Sequence, residues 1–153
     1  MGQASGFLYS FPEAGGRDTD LEDFDRLLRQ LLRKPSPAKS IGDAYLDEVR
    51  KQPNCFLYFM RSRVDNRIVA TATLILYKVL SGQKAIIEDV VVDESHRGKG
   101  LAEHCFRALM KLAKVKGVKE VFWKSHPDRA AANNLYRKLG YQPSKSNLYQ
   151  AKL

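Results

Sequence analysis

The residues with the clearest chemical potential fall in one stretch, Ile87-Glu-Asp-Val-Val-Val-Asp-Glu-Ser-His-Arg-Gly-Lys-Gly-Leu-Ala, ending at Ala102. The apolar run Val90-Val91-Val92 reads as a buried strand that leads into Arg97-Gly98-Lys99-Gly100-Leu101-Ala102. An amphipathic helical pattern follows, with Leu101, Cys105, Phe106, Leu109, Leu112 and Ala113 on one face. Such a junction is an anion cradle, because the first N–H groups of a helix have no partner inside it and the macrodipole adds partial positive charge. Gly98 and Gly100 permit close backbone approach, while Arg97 and Lys99 bring full charges, so the cradle suits a phosphate or pyrophosphate. A strand-to-helix turn that uses glycine for geometry alone is the plainer alternative. The pattern is neither a Walker A loop nor the GxGxxG dinucleotide fingerprint. Just upstream, Glu88 and Asp89 are the leading candidates for a general base, directly or through water. On a regular strand adjacent side chains point to opposite faces, so only one of the two is expected to face a substrate.

The elements that must position these groups are legible from periodicity. After a short apolar stretch at Phe7 and a loop from Phe11, a helix capped by Thr19 or Asp20 carries Leu21, Phe24, Leu27, Leu28, Leu31 and Leu32 as one apolar stripe. A shorter helix fits Ile41 to Lys51, bounded by Pro53. Cys55 to Ser62 and Ile68 to Val79, joined by a turn at Val64-Asp-Asn-Arg, read as a hairpin, and Lys84 to Val92 as a third strand. A helix from about Gly100 to Lys116 and a strand from Val118 to Lys124 complete a βαβ unit. A last helix, about Asp128 to Leu139, ends at Gly140, and a terminal strand is expected near Leu148 to Leu153. These elements predict an α/β (α+β) fold, a mixed and mostly antiparallel sheet with helices on both faces and one central βαβ unit.

Composition fits one compact domain spanning residues 1–153, with 44% apolar and 28% charged residues. No apolar run approaches the length of a membrane span, and the first residues lack the basic and apolar regions of a secretory signal. Cys55 and Cys105 have no metal or redox spacing and read as two reduced small hydrophobes, and the three scattered histidines form no metal site. A cytoplasmic protein is expected. Its formal net charge of +9 is uneven, +2 over residues 1–80 and +7 over 81–153, with 11 basic against 3 acidic residues between His96 and Lys138. Charge of this kind points to an anionic partner or to a solvated helix face.

The motifs together resemble the GNAT superfamily of acetyl-CoA-dependent N-acetyltransferases. Its pyrophosphate motif, Arg/Gln-x-x-Gly-x-Gly/Ala, is matched by Arg97-Gly-Lys-Gly100-Leu-Ala102. Its later helix ending in a Leu-Tyr-x-Lys-x-Gly-Phe-like run is matched by Leu135-Tyr136-Arg-Lys-Leu-Gly140-Tyr141. The resemblance implies that acetyl-CoA is the cosubstrate and that an amine attacks its thioester directly. It further implies that Val90, Val91 and Val92 pair with the pantetheine arm like an added strand. Backbone N–H groups of Arg97, Gly98, Lys99, Gly100, Leu101 and Ala102 would hold the pyrophosphate, with Asn133 and Tyr136 flanking the far end of the arm. It favours Glu88 as base and Tyr136 as the acid that protonates the departing thiolate. The chain departs from the family at Arg129, where many relatives carry an asparagine used for CoA; Asn133 or Arg129 is then the substitute.

Two other readings compete. One is a nucleic-acid-binding module using the basic 96–138 region, although aromatic residues for base stacking are sparse there. The other is a catalytically silent acyl-CoA sensor. The acceptor is unspecified by the sequence, with aminosugars, polyamines, amino acids, peptides and drug amines all open. Dimerisation is common in the family, and nothing in this sequence specifies it.

Overall fold

The computed structural model describes residues 7–10, 18–32 and 42–151. The chain divides into two compact units, one ending at Trp123 and the other beginning at Lys124.

In the first unit, β1 (Phe7–Ser10), β2 (Cys55–Ser62), β3 (Ile68–Val79), β4 (Gly82–Val92) and β5 (Glu120–Trp123) form one sheet in that order. The first four pair antiparallel, and β4 pairs β5 in parallel, joined by α3 (Leu101–Val115). The β2–β3 hairpin has the bounds its β-branched and aromatic composition predicts. α1 (Asp18–Leu31) and α2 (Asp43–Lys51) cover one face, where Phe24, Leu27 and Leu46 pack on Leu57, Phe59, Ile68 and Val91. The rings of Phe24 and Phe59 meet edge-on at 6.1 Å. The alternate β2 side chain, Tyr58, stacks on His104 of α3, and Phe106 meets Trp123, so α3 covers the opposite face. Cys105, Phe106 and Leu109 are fully buried there.

Three sequence expectations change. α1 begins before Asp20, so Asp20 is not its cap; its buried carboxylate instead receives a 2.7 Å bond from Arg61 of β2. Thr19's side chain and residue 41 lie outside the described residues. Residues 148–151 form no strand, so the terminal strand is absent over the residues described, and residues 152–153 lie outside them. The βαβ unit therefore occupies the β5 edge of the described sheet.

In the second unit, α4 (Ala130–Lys138) ends as its Gly140 predicts. Gly140 has φ +86°, its N–H bonds Arg137 O at 2.9 Å, and the Tyr141 N–H reaches back to Tyr136 O at 3.0 Å. This is a Schellman closure of the helix.

Candidate active site

The turn between β4 and α3 has the backbone of an anion cradle. Asp93 caps a single turn, Glu94–His96, accepting a 3.0 Å bond from the Ser95 N–H. Arg97 is extended, and Gly98 and Gly100 both lie at φ +76°. A Cβ at either glycine would touch nothing, so the left-handed backbone, not crowding, is what demands glycine. The N–H of His104 is bonded to Gly100 O at 3.0 Å, so those of Leu101, Ala102 and Glu103 come too early in α3 for a helical partner. Residues 97–100 are all exposed. Arg97 Nε lies 3.3 Å from Val92 O, folding the guanidinium back along β4, and Lys99 stands beside it in sequence. Nest, helix terminus and charge together fit a pyrophosphate. Burial and the nearby Lys99 charge hold His96 below the ordinary imidazole range, so it adds a neutral ring and no positive charge.

The cradle is tied to α1 by a polar stripe that runs beside the apolar one. Asp20, Asp23, Arg26 and Gln30 recur at three and four residues, and each crosses to the sheet or the turn. Asp23 accepts from Ile68 N at 2.7 Å and from Arg67 Nε at 2.8 Å. Arg26 donates to Ile68 O at 2.8 Å and forms an ion pair with buried Asp93. Gln30 bonds Asp93 Oδ2 at 3.3 Å and accepts from Glu94 N at 2.9 Å. Sequence reasoning missed this stripe because charged residues on a helix read by default as solvated.

Glu88 and Asp89 do not alternate as a regular strand requires. Glu88 stands opposite Thr73 and Val91 opposite Thr71, so β4 spends two residues where β3 spends one. Asp89 is the extra residue of this bulge, with φ +52°. Cross-strand partners share a face, so Glu88 lies on the face of Thr73, the same face that Asp89 lines. The expectation that only one acid faces this side is thereby corrected. A signal was present in the sequence, since Asp is disfavoured inside strands and tolerated at positive φ. Asp89 is exposed at its outer side, and desolvation by the walls around it, and then the charge of Glu88, push its carboxyl above the usual range. Burial and Asp89 likewise raise the Cys55 thiol, and burial raises Cys105 to about 12. Neither cysteine offers a thiolate nucleophile near neutral pH.

β5 pairs with β4 only as far as Ile87 opposite Trp123. Val90, Val91 and Val92 therefore have β3 on one side and no described strand on the other, leaving a sheet edge that leads to the cradle. On the α1–α2 face a cavity of about 100 Å³ opens beside it. Its walls are Phe24 and Leu28 of α1 with Tyr45, Leu46 and Val49 of α2, and the sheet contributes Leu57, Thr71, Thr73 and Asp89. Among the described residues no cluster of His, Cys, Asp and Glu could hold a metal ion, and no helix is long and apolar enough to cross a membrane. Lys111, Lys114 and Lys119 are exposed.

In the second unit, Asn133 donates its amide to His126 O at 2.9 Å and Pro127 O at 3.3 Å, bracing the loop before α4. Its backbone N–H bonds Arg129 O at 3.0 Å. Tyr136 is half-buried on α4, and burial raises its phenol above the ordinary value, partly offset by the Arg129 charge.

The sequence pattern described as the Acetyltransferase (GNAT) family matches residues 21–141. The chain belongs to this family. Like its members, this GNAT protein is an acetyl-CoA-dependent N-acetyltransferase. It is 30% identical to the glucosamine 6-phosphate N-acetyltransferase of Trypanosoma brucei brucei over 82% of this chain and 84% of that one. It is 29% identical to YobR, an uncharacterized N-acetyltransferase of Bacillus subtilis (strain 168), over 76% of this chain; the match spans 44% of that protein's length. A solved Trypanosoma brucei acetyltransferase superposes with a TM-score of 0.77 at 25% identity, covering 95% of this chain and 99% of that one.

Proposed function

We propose that this GNAT protein acetylates the primary amine of a small molecule, with Glu88 and Asp89 receiving the amine and Arg97 to Ala102 holding the pyrophosphate of acetyl-CoA. The observation that carries this reading is the β4 bulge. It turns two carboxylates toward one face of the strand whose open edge leads to the cradle. When bound, acetyl-CoA supplies the acetyl group as a thioester, whose C–S bond breaks as the acceptor nitrogen forms the amide. The paired carboxylates attract the acceptor as its ammonium. Asp89, made more basic by desolvation and by Glu88, takes the proton that ammonium must lose, and Glu88 holds the charge beside it. The resemblance assigns Tyr136 the proton for the departing sulfur. A phenol raised by burial stays protonated at neutral pH, as that role requires. Val90 to Val92 offer backbone groups to the pantetheine arm, and the cradle N–H groups fix the pyrophosphate so that the reacting atoms are aligned.

The family match runs across the Trp123 boundary, which supports one acetyltransferase domain over residues 1–153. Free Cys55 and Cys105 suit a reducing, cytoplasmic setting. The Trypanosoma brucei relative, by its name, acts on glucosamine 6-phosphate, which makes a phosphorylated aminosugar the second reading of the acceptor. The test is CoA-thiol release with saturating acetyl-CoA across aminosugars, polyamines, amino acids and simple amines. Turnover with at least one primary amine is expected. Thermal stabilisation by acetyl-CoA without turnover on any of them would overturn the small-amine acceptor proposed here.

A further inference from the structure

His96 stands directly before Arg97, at the end of a hydrogen-bonded chain that begins on α1. We propose that, on the acid side of neutrality, His96 binds the pyrophosphate of acetyl-CoA as an imidazolium, with Asp93 and Ser95 holding its Nδ1–H so that the added proton sits on Nε2. This rests on the reading of Arg97 to Ala102 as the pyrophosphate site and adds a residue to it. Arg26 of α1 pairs with Asp93, Gln30 donates to its Oδ2 at 3.3 Å, and the Ser95 N–H donates to its Oδ1 at 3.0 Å, as suits a carboxylate. The Ser95 hydroxyl lies 2.5 Å from the same Oδ1 and 2.8 Å from His96 Nδ1. A hydroxyl has one hydrogen and a carboxylate can only accept it, so Ser95 donates to Asp93 and accepts from His96. The neutral ring therefore carries its hydrogen on Nδ1, and Nε2 is the nitrogen that a second proton reaches. Burial and then Lys99 oppose that proton, Asp65 of the β2–β3 turn favours it, and Arg26 opposes it. Asp93 lies 3.7 Å from Nδ1, and the neighbours Glu94 and Arg97 pair with each other at 3.5 Å. A pyrophosphate on residues 97–102 brings negative charge beside the ring and offsets Lys99. Proton and ligand then favour each other, and by linkage each strengthens the other by the same factor.

Calorimetric titration of the full chain with dephospho-CoA tests this, because that probe lacks the phosphomonoester of CoA and its pyrophosphate stays fully charged across the range. Its affinity should rise about twofold to fivefold from about pH 7.5 to about pH 5.5, on either side of the ordinary imidazole value near 6.5. His96→Gln, which keeps a polar side chain but cannot take up a proton, should bind with a flat pH dependence. Heteronuclear NMR of the histidine rings gives a second readout, the His96 signals being assigned by their loss in His96→Gln. The unliganded parent should show the Nδ1–H form, and its titration should move to higher pH when dephospho-CoA is added. Ser95→Ala should let the Nε2–H form appear. A flat affinity in the parent overturns the proposal, as does a slope that persists in His96→Gln or an Nε2–H ring in the parent; each leaves the acetyl-CoA reading intact. Failure of dephospho-CoA to bind at any pH overturns the pyrophosphate site and this proposal with it.

Discussion

Arg26 of α1 forms an ion pair with Asp93, the buried cap of the turn that precedes Arg97 to Ala102. The same guanidinium bonds Ile68 O and Asp23, so one side chain joins the first helix, the start of β3 and the turn. Removing it takes the arginine from buried Asp93, which keeps only neutral donors from Gln30 and Ser95, while Asp23 keeps Arg67 and Ile68 N. Arg26→Met should cost about 2–4 kcal/mol of stability, less than a fully buried pair because the arginine is partly exposed. Gln30→Leu is the milder probe, since it removes only the bonds to Asp93 and Glu94. It should raise the KM for acetyl-CoA several-fold while kcat changes less, with stability falling by about 1 kcal/mol. Chemical denaturation and initial-rate kinetics on the two variants check both statements; an unaltered KM in Gln30→Leu would sever α1 from cofactor binding.

Gly100 tests the cradle without altering its charge. Its φ of +76° costs an L-residue about 1–2 kcal/mol, although a Cβ there meets no atom. Gly100→Ala should therefore weaken acetyl-CoA binding by roughly 5–30-fold through backbone geometry alone. Lys99→Ala, which leaves the nest intact, should lose less affinity and flatten its salt dependence. Calorimetric titration at two ionic strengths separates the two contributions.

Much of the fold was legible because its signals are local. The β2–β3 hairpin follows from β-branched and aromatic runs around a polar turn, and α4 stops where Gly140 can turn left-handed. The left-handed glycine turn into α3 was legible for the same reason, since Gly98 and Gly100 stand directly before the helix. What escaped were the polar contacts and the register shift, which depend on partners distant in the chain. Asp20 reads as a helix cap, but its Arg61 partner lies 41 residues away. Asp23, Arg26 and Gln30 read as surface charge until Ile68 and Asp93 are brought beside them. The bulge at Asp89 shifts the pairing of β4 against β3 by one residue, and a two-residue alternation rule cannot anticipate that. The cavity walls were visible only as apolar helix positions, because Leu28 and Val49 serve core and cavity by the same chemistry.

Asp89 ties activity to stability in opposite directions. Its carboxyl is raised by desolvation and by Glu88, so below the unfolded value, about 3.9, it is protonated in both states and costs nothing. As pH rises through the higher folded value, the charged form is penalised in the native state and stability is lost. Asp89→Asn removes that penalty, and Asn tolerates the positive φ as well as Asp does. Asp89 is exposed to solvent, so the gain is small: the variant should melt no lower than the parent at pH 7, with any difference shrinking toward zero as pH falls below 4. Its kcat/KM should drop by about 10²-fold or more, with loss of an acid limb that in the parent lies above the ordinary carboxylate range. Glu88→Gln should move that limb to lower pH, because the neighbouring charge that raises Asp89 is gone. Should Glu88→Gln abolish the limb and Asp89→Asn leave it in place, the two carboxylates exchange roles.

Tyr136 is the remaining group with an assigned proton. Its phenol, raised by burial, titrates above its ordinary value near 10, so it is a donor throughout the physiological range. Tyr136→Phe keeps the ring and removes only the O–H, which should leave the acetyl-CoA dissociation constant within about twofold and lower kcat by roughly 10–10²-fold. The parent's rate should fall on the alkaline side as the phenol ionises, and the variant should lose that limb. Arg129 bears on the same limb, because its charge lowers the Tyr136 value. Arg129→Gln should therefore move the alkaline limb to higher pH without removing it. Stopped-flow thiol release over the alkaline range, read beside equilibrium acetyl-CoA binding for the three proteins, decides the point: an unchanged kcat in Tyr136→Phe would remove the phenol from proton transfer, whatever happened to the Arg129 variant.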